Sequence, residues 1–481
     1  MIIQSLFTLI CLAQSIPIVA GITTTCNSVD SIDYSIILPT SPNIKHLENK
    51  LLEISDPNSP TYRQYLNIEQ IKLYTTPDNS VRQPVFDWLK NFDVQCKDNG
   101  DSLKCSSTVE VASQMWGLNY NRRTLQGDII VPESLTDNIL FVEGLIPKKK
   151  QNVLRTRSAK NNKNYNDVSP DPGYVGLESL QHLYNFTSIK SSSSVAAIEY
   201  QGGSGFSQDD LNQNCQLNGI SDDNISQVIG VDVGTDLETQ LDLQMEALIN
   251  TGGNIWFWDD DGWLLSFATN FFNTENVPSV ISMSWGWAED QQCTITSCQN
   301  RTSKEYVSRV NQEYIKIGLR GVTITVSSGD AGAPGRTGEN CDPTRPVNPV
   351  MPGSSPWITS VSATFVAQSN DTINWKTPLC KQNDCVSGTD EYPANYNFTS
   401  WTTGGGFAEY NVRPSWQKDA VNDYLTNGVS LPSSFSKNGR GYPDISAIGH
   451  NCPVISQGML QDIDGTSCSS PLWAGMVALL N

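Results

Sequence analysis

Gly465-Thr466-Ser467-Cys468-Ser469-Ser470-Pro471 is a short glycine turn that leads into an apolar stretch typical of a helix over 469–480. The position of Pro471 suits the first turn of that helix. A serine at such a turn has an exposed hydroxyl close to free helix amides, so Ser467 is a candidate nucleophile. A serine that only caps the helix is the alternative from this motif alone.

A second stretch, residues 236–250, has the spacing of an amphipathic helix. Its predicted buried stripe consists of Leu237, Leu241, Met245, Leu248 and Ile249. Glu238, Asp242 and Glu246 then share an adjacent face, one helical turn apart from each other. A solvated acidic face is the commoner explanation of such a pattern, and paired catalytic carboxylates are the other.

The candidate nucleophile needs a base. The chain has three histidines, His46, His182 and His450, and none stands in a recognisable catalytic motif. A carboxylate is then the available proton acceptor. Two close carboxylates do not easily both carry charge, so we expect Glu238 to be ionised while Asp242 holds a shared proton and orients it.

Short apolar strands over 194–200, 278–286 and 321–329 each run into a glycine turn, and helical patterns over 236–250 and 303–319 lie between them. This alternation predicts an α/β unit with a mainly parallel sheet and a site at the carboxyl ends of the strands. Asp330 lies at one such end. If it is protonated, it can donate to an oxyanion; an ordinary turn residue is the alternative.

Composition limits the function classes. The chain of 481 residues has 31 basic and 50 acidic residues and a formal charge of −19, which opposes binding to nucleic acid or to anionic membranes. Residues 1–20 have the pattern of a signal peptide, and no later stretch is long and apolar enough for a membrane span. Asn-X-Ser/Thr sequons at Asn185, Asn224, Asn300, Asn370 and Asn397 fit the same secretory or lysosomal route.

The organisation along the chain predicts two folded units. Residues 21–147 read as an α/β unit, with a strand over 31–38 and a helix over 41–54. The basic stretch 148–170 reads as a linker, either a solvated loop or a segment cleaved on activation. Residues 171–481 form the second unit.

The cysteines fit an oxidising compartment. Of the 12, Cys11 leaves with the signal peptide. The close pairs Cys96/Cys105, Cys293/Cys298 and Cys380/Cys385 predict local disulfides. An odd set remains, Cys26, Cys215, Cys341, Cys452 and Cys468, so either Cys468 stays a buried thiol or a partner lies beyond the end of the chain.

Several motifs together resemble the sedolisin family of serine-carboxyl peptidases, which includes kumamolisin and tripeptidyl peptidases. They are Glu-X-X-Leu-Asp-X-Gln at 238–244, Ser-Gly-Asp at 328–330 and Gly-Thr-Ser-X-Ser-X-Pro at 465–471, with further matches at 281–286, 404–407 and 439–447. The segment 56–66 resembles the pro-domain of the family.

The resemblance implies a subtilisin-like catalytic domain, preceded by a ferredoxin-like α/β pro-domain that inhibits it until removal. It implies that Ser467 is the nucleophile, Glu238 the general base and then acid, Asp242 its orienter and Asp330 the oxyanion donor. Glu199 matches an acidic residue that extends the carboxylate network in some members, and Trp285 matches a residue near it. The expected substrate-binding residues, which include a strand that pairs with the peptide backbone, are Ser284, Trp285, Gly286, Ser328 and Gly329.

The expected function is therefore an acid-acting peptidase made as a zymogen, with peptides as substrates, its own pro-domain as a partner in cis, and tripeptidyl aminopeptidase activity; an endopeptidase is the alternative. The family also implies one calcium ion on a loop well after the serine helix, and we expect its ligands beyond Asn481, so no metal ligand is assigned. A chain truncated there could be an inactive fragment. One departure from the family pattern is Asp464, where many members carry serine.

Overall fold

The computed structural model describes residues 30–121, 124–146, 169–186, 191–200, 202–221, 224–336, 344, 346–427, 431–432 and 434–481. The predicted signal peptide, nearly all of the basic linker, Cys26 and Cys341 lie outside these residues. Within them, no helix is both long and apolar enough to cross a bilayer.

The N-terminal unit packs helices on an antiparallel sheet. Its elements are β1 Ser31–Ile37, α1 Ile44–Ser55, α2 Ile68–Thr75, α3 Asn79–Leu89, β2 Val94–Asp98, β3 Ser102–Thr108, α4 Val109–Trp116, β4 Asn119–Asn121, β5 Thr124–Gln126 and β6 Phe141–Glu143. The strand order β2-β3-β1-β6 is that of a ferredoxin-like β-α-β-β-α-β fold. The predicted strand and helix at its start are confirmed as β1 and α1.

The C-terminal unit alternates strands and helices. Its elements are α5 Leu177–Tyr184, β7 Ser194–Glu199, α6 Gln208–Leu217, β8 Ile225–Ile229, α7 Leu237–Ile249, β9 Asn254–Asp259, α8 Leu264–Phe272, β10 Val280–Met283, β11 Trp287–Ala288, α9 Gln292–Ile295, α10 Ser303–Leu319, β12 Thr323–Ser327, β13 Val350–Met351, β14 Thr359–Val366, α11 Pro378–Gln382, β15 Glu391–Pro393, α12 Tyr396–Thr399, β16 Gly406–Val412, α13 Lys418–Asn427, β17 Gly439–Tyr442, β18 Ile445–Ile448, β19 Cys452–Ser456, β20 Met459–Ile463 and α14 Thr466–Leu480.

The main sheet of this unit has the order β15-β14-β12-β10-β7-β9-β8, and β18 also pairs with β14. All its strand pairs are parallel except β14 with β15. The central strands are buried on both faces, since helices cover each side, which explains their continuous apolar runs. The predicted subtilisin-like, mainly parallel sheet is confirmed.

Helices α7 and α14 pack against each other and against this sheet. Helix α7 is buried along almost its whole length: every residue from Glu238 to Ile249 is buried. The acidic positions of this helix therefore do not form a solvated face, because α14, α6 and the sheet enclose them. This burial excludes the commoner explanation of the acid pair.

Three local expectations were wrong. Helix α14 begins at Thr466, so Pro471 lies beyond its first turn, inside the helix. The segment 284–286 follows β10 and is not part of a strand. Cys468 forms a disulfide with Cys452, which joins α14 to β19, so it is not a thiol. The three predicted local disulfides are confirmed.

The two units meet mainly through α1 and α10. The backbone amide of Leu66 donates to the carbonyl of Leu319 over 2.8 Å, and Leu51 packs against Gly318. Asp101 of the N-terminal unit is fully buried and forms ion pairs with Arg309 and Lys316 of α10. The N-terminal unit is therefore held by buried polar contacts as well as by apolar packing.

Candidate active site

A cleft of about 530 Å³, counting the space that opens to solvent, lies at the carboxyl ends of β10 and β12. This is where a parallel sheet places ligands. The residues that line it come from three neighbouring segments and the start of α14: Ser284, Gly286, Trp287, Ala288, Ser327, Ser328, Gly329, Asp330, Ala331, Gly332, Gly335, Arg336, Asn348, Val350 and Thr466.

Ser467 lies in the first turn of α14 and is 7% exposed. The turn before it depends on Gly465, whose φ of 156° favours a residue without a side chain. The amide of Gly465 donates to the carbonyl of Gly449, and the disulfide of Cys468 ties the same turn to β19. The serine is therefore placed by backbone and covalent contacts on both sides.

Glu238 occupies the first turn of α7 and is fully buried. Burial raises its pKa to about 8, while Ser467 and the charge of Arg336 act in the opposite direction. Ser467 is thus close enough to favour the ionised form, although neither carboxylate oxygen has a hydrogen-bond partner of ordinary geometry among the described residues. Such contacts tighten in many enzymes when substrate binds.

Asp242 lies one turn further along α7 and is fully buried. Its Oδ1 accepts a hydrogen bond of 2.8 Å from Ser284. Burial raises its pKa well above the usual value, and the neighbouring Glu238, Glu199 and Glu246 raise it further. The environment of Asp242 therefore favours the protonated form.

Glu238 and Asp242 lie in different electrostatic environments. Glu238 is in the first helical turn, where the helix dipole favours negative charge; Ser467 and the charge of Arg336 favour its ionised form, against the charges of Asp330 and Asp236. Asp242 faces mainly other carboxyls. A single negative charge on the pair is accordingly more stable on Glu238, and a shared proton is more stable on Asp242.

Two further acids extend the cluster. Glu199 is fully buried, and its Oε2 accepts a 2.8 Å hydrogen bond from the indole of Trp285. Glu246 is fully buried too, and neither of its oxygens has a hydrogen-bond partner among the described residues. Burial is the main cause that raises the pKa of both groups well above the usual value. The environment of both groups therefore favours the protonated form.

Asp330 follows β12 and faces the cleft. Its Oδ1 accepts from the amide and from the hydroxyl of Thr466, both over 2.8 Å. Its Oδ2 lies 3.4 Å from Nη2 of Arg336. The amide of Gly329 in turn donates to Oγ1 of Thr466 over 3.1 Å. Through these hydrogen bonds, Thr466 holds Asp330 close to Ser467, which is the next residue after Thr466 in the chain.

The candidate substrate-binding residues divide into two groups. Ser284, Gly286, Ser328 and Gly329 line the cleft. A side chain at Gly286 would meet Val350 at 2.8 Å, so glycine is required for this close approach. Trp285 is 5% exposed and points to Glu199, while Trp287 lines the cleft.

Sequence reasoning missed two residues of the site, Thr466 and Arg336. Thr466 stands beside the candidate nucleophile, so its position in the quoted motif could have suggested a role. Arg336 gave no such indication. Its contact with Asp330 depends on the path of the turn after β12, which no periodicity predicts.

Metal binding finds no support in the described residues, which contain no group of three or more His, Cys, Asp or Glu side chains arranged around one point. The acidic run Asp259-Asp260-Asp261 is engaged with the protein itself; Asp260, for instance, accepts from Gly262 and Asn270. No described residue is therefore assigned as a ligand of the calcium ion that the family implies.

Comparison with known proteins matches residues 22–147 to the activation domain of pro-kumamolisin and residues 227–481 to the subtilase family. The chain is 33% identical to physarolisin of Physarum polycephalum over 468 residues, which cover 92% of this chain and 80% of physarolisin. It is 26% identical to tripeptidyl-peptidase 1 of Macaca fascicularis over 490 residues, 91% of this chain and 77% of the relative. A Pseudomonas sedolisin structure aligns with 65% of this chain and 81% of its own, with 23% identity and a TM-score of 0.49.

Proposed function

Because the chain belongs to the sedolisin family of serine-carboxyl peptidases, which share the subtilase fold, we propose that it is an acid-acting tripeptidyl aminopeptidase made as a zymogen. The observation that carries the proposal is that buried Glu238 lies close to both Ser467 and Asp330, directly behind the cleft that Asp330 and Thr466 line. The similarity to tripeptidyl-peptidase 1 over nine-tenths of the chain supports the tripeptidyl specificity.

In the proposed mechanism, Ser467 attacks the peptide carbonyl and transfers its proton to Glu238. Glu238 then protonates the leaving amine, and the same proton route activates water for hydrolysis of the acyl-enzyme. Asp242 keeps Glu238 oriented and holds the shared proton. Asp330, protonated on Oδ2, donates to the oxyanion, since Thr466 already occupies its Oδ1.

Acid action follows from the proposed role of Asp330. An ionised Asp330 would repel an oxyanion, whereas a neutral Asp330 can donate a hydrogen bond to it. The base role of Glu238 and the donor role of Asp330 depend on pH in opposite directions. Glu238 must be ionised to accept a proton, and Asp330 must be protonated to donate one. Arg336, Ser467 and the helix dipole favour that ionised state at a site whose burial disfavours it.

We propose the following organisation for the zymogen: a signal peptide 1–20, a pro-domain 21–147, an activation linker 148–170 and a catalytic domain 171–481. The route would lead out of the cell or to the lysosomal lumen. All five sequon asparagines, at positions 185, 224, 300, 370 and 397, are exposed, which supports glycosylation on this route. Calcium binding is proposed from the family alone.

An endopeptidase of the same chemistry is the second candidate. The two candidates differ in what they require of the substrate. A tripeptidyl aminopeptidase needs a free amino terminus three residues before the cleaved bond, and an endopeptidase does not.

The test uses the purified precursor, acidified and followed by mass spectrometry, with a peptide of free amino terminus and its acetylated copy. Serial release of tripeptides from the free peptide alone supports the proposal. Internal cuts in both peptides support the endopeptidase. Activity that survives in Ser467→Ala, or that peaks above about pH 7 as a histidine base would cause, overturns the assigned mechanism.

A further inference from the structure

Arg336 is a positive charge inside an acidic site. Its side chain is 30% exposed and lines the cleft, and among the described residues that line the cleft it is the only cation. Among the described residues, the carboxyls that interact with it are Asp330, at 3.4 Å, and Glu238, whose pKa its charge lowers. The proposed mechanism gives Arg336 no direct role with the substrate.

Asp330, the ion-pair partner of Arg336, cannot stay ionised while it donates a proton to the oxyanion. Thr466 occupies Oδ1 of Asp330, so the proton that Asp330 donates to an oxyanion belongs on Oδ2, the oxygen that faces Arg336. A protonated Oδ2 no longer offers the guanidinium a charged acceptor. Arg336, which is 30% exposed, then has donors that are free to bind a further anion from the substrate.

The position of the cleft indicates where that anion comes from. The attacked carbonyl must lie between Ser467 and Asp330. The cleft extends from this point between the segment after β10, with Ser284 and Gly286, and the segment after β12. The side chain that belongs to the attacked carbonyl can enter this space, with Arg336 in its wall.

We propose that Arg336 selects peptides with an acidic side chain immediately before the cleaved bond. The inference rests on the proposed function of the same site. A guanidinium binds a carboxylate by two parallel charged hydrogen bonds, and the amide of Gln or Asn cannot reproduce the charge. Such a substrate would also draw Arg336 away from Asp330 and leave Oδ2 free to carry its proton.

The test compares peptides that differ at one position, with Glu, Gln or Leu before the cleaved bond, and a further pair with Glu or Gln after it. All have a free amino terminus and enough residues for either mode of cleavage. The assay is run near pH 5, where a glutamate side chain, with a pKa of about 4.3, is mostly ionised. The enzymes are the parent, Arg336→Met and Arg413→Met. Arg413 is a matched control outside the cleft that bonds to Asn422.

We expect the parent to cleave the Glu peptide at least about 10-fold more efficiently than its Gln copy, measured as kcat/KM. This ratio corresponds to a charged contact of about 1.4 kcal/mol. In Arg336→Met the ratio falls to about 1, and in Arg413→Met it is that of the parent. Arg336→Met also loses the contact with Asp330, and turnover of the Gln and Leu peptides measures that effect separately from the Glu preference.

Three results overturn the inference while the proposed function stands: equal cleavage of the Glu and Gln peptides by the parent, a Glu preference that survives in Arg336→Met, or a preference only for Glu after the bond. If the parent cleaves none of the peptides, the Leu peptide included, the proposed function fails and the inference fails with it. The Leu peptide therefore separates the two cases.

Discussion

At the scale of single residues, the two oxygens of Asp330 have different tasks. Oδ1 accepts two hydrogen bonds from Thr466, and Oδ2 faces the cleft and Arg336. Asp330→Ala should lower kcat by about 100-fold or more, as loss of an oxyanion donor does. Asp330→Asn keeps the acceptor and places an NH2 donor where Oδ2 stood, so it should retain more activity than Ala.

The measurement is kcat for both variants and the parent across the acid range. Because an amide donates whatever the pH, the Asn variant should lose less activity than the parent as the pH rises. Asp330 is not the proposed donor if the Ala variant has the kcat of the parent. The same conclusion follows if the kcat of the Asn variant exceeds that of the Ala variant at no pH. Circular dichroism of the variants checks that each is folded.

Sequence reasoning at this scale gave residue types and motif positions but not environments. It predicted Glu238 and Asp242 on one helix face, which the helical period determines. It did not predict that Glu246 is equally buried, because burial depends on α14 packing from the other side. The contact between Arg336 and Asp330 could not be predicted either, because it depends on the path of the turn after β12.

At the scale of elements, the disulfide Cys452–Cys468 joins β19 to the turn of α14 that carries Ser467. Both cysteines are fully buried. It closes a segment with a sequence separation of 16, for which loop entropy gives about 3 kcal/mol of stability. We therefore expect the double variant Cys452→Ala/Cys468→Ala to unfold more easily and to lower kcat, since the first turn of α14 is no longer tied down.

The matched control is Cys380→Ala/Cys385→Ala, which removes a disulfide with a separation of 5 beside α11, outside the residues that line the cleft. Chemical unfolding is measured in a Ser467→Ala background and kcat in the active chain. Equal effects of the two pairs on kcat would contradict a positioning role for Cys452–Cys468.

Element types were predictable where periodicity was strong. The predicted helices over 236–250 and 303–319 correspond to α7 and α10 within a residue or two, and the strands to β7, β10 and β12. The error at Pro471 has a physical origin. Its position suits a first turn, but α14 starts earlier because Gly465 supplies the turn, so the helix contains the proline.

At the scale of the whole molecule, buried acids link stability to pH. Burial raises the pKa of Glu143 and of Glu238 to about 8. It also raises the pKa values of Glu199, Asp242 and Glu246 well above those of free carboxyls. A folded pKa above the unfolded value means that the folded state binds more protons. The resulting stability is fully present below about pH 4.5, the unfolded value, and is lost as the pH rises towards about 8.

We therefore expect the thermal midpoint of the Ser467→Ala precursor to fall between about pH 4.5 and about pH 8. Glu246→Gln provides a matched control, because the amide has a similar shape and cannot ionise. It should have a midpoint close to that of its background at low pH and a higher one near pH 8. A midpoint that rises across this range, or a variant that is less stable than its background near pH 8, would contradict the prediction.

The contact between the two units depends on one buried charge cluster. Asp101 is fully buried and accepts from Nη2 of Arg309 at 3.1 Å and from Nζ of Lys316 at 3.0 and 3.1 Å. Glu313 pairs with both cations from within α10. Asp101→Ala leaves two buried cations opposite one carboxylate. Removal of one partner from such a cluster costs about 3–5 kcal/mol, so the N-terminal unit should bind about 100-fold more weakly or worse.

The measurement separates this contact from the covalent connection. Limited trypsin treatment of the Ser467→Ala precursor cuts the basic stretch that includes Lys148, Lys149, Lys150, Arg155, Arg157, Lys160 and Lys163, and size-exclusion chromatography then shows whether the two parts stay together. They should co-elute in the Ser467→Ala background and in Asp98→Ala, a control that removes an exposed ion pair inside the N-terminal unit, and separate in Asp101→Ala. Co-elution in all three would contradict the prediction and show that apolar packing between α1 and α10 suffices. The cost of desolvating the buried charges would then equal their Coulombic attraction, so the cluster would add nothing to the binding energy.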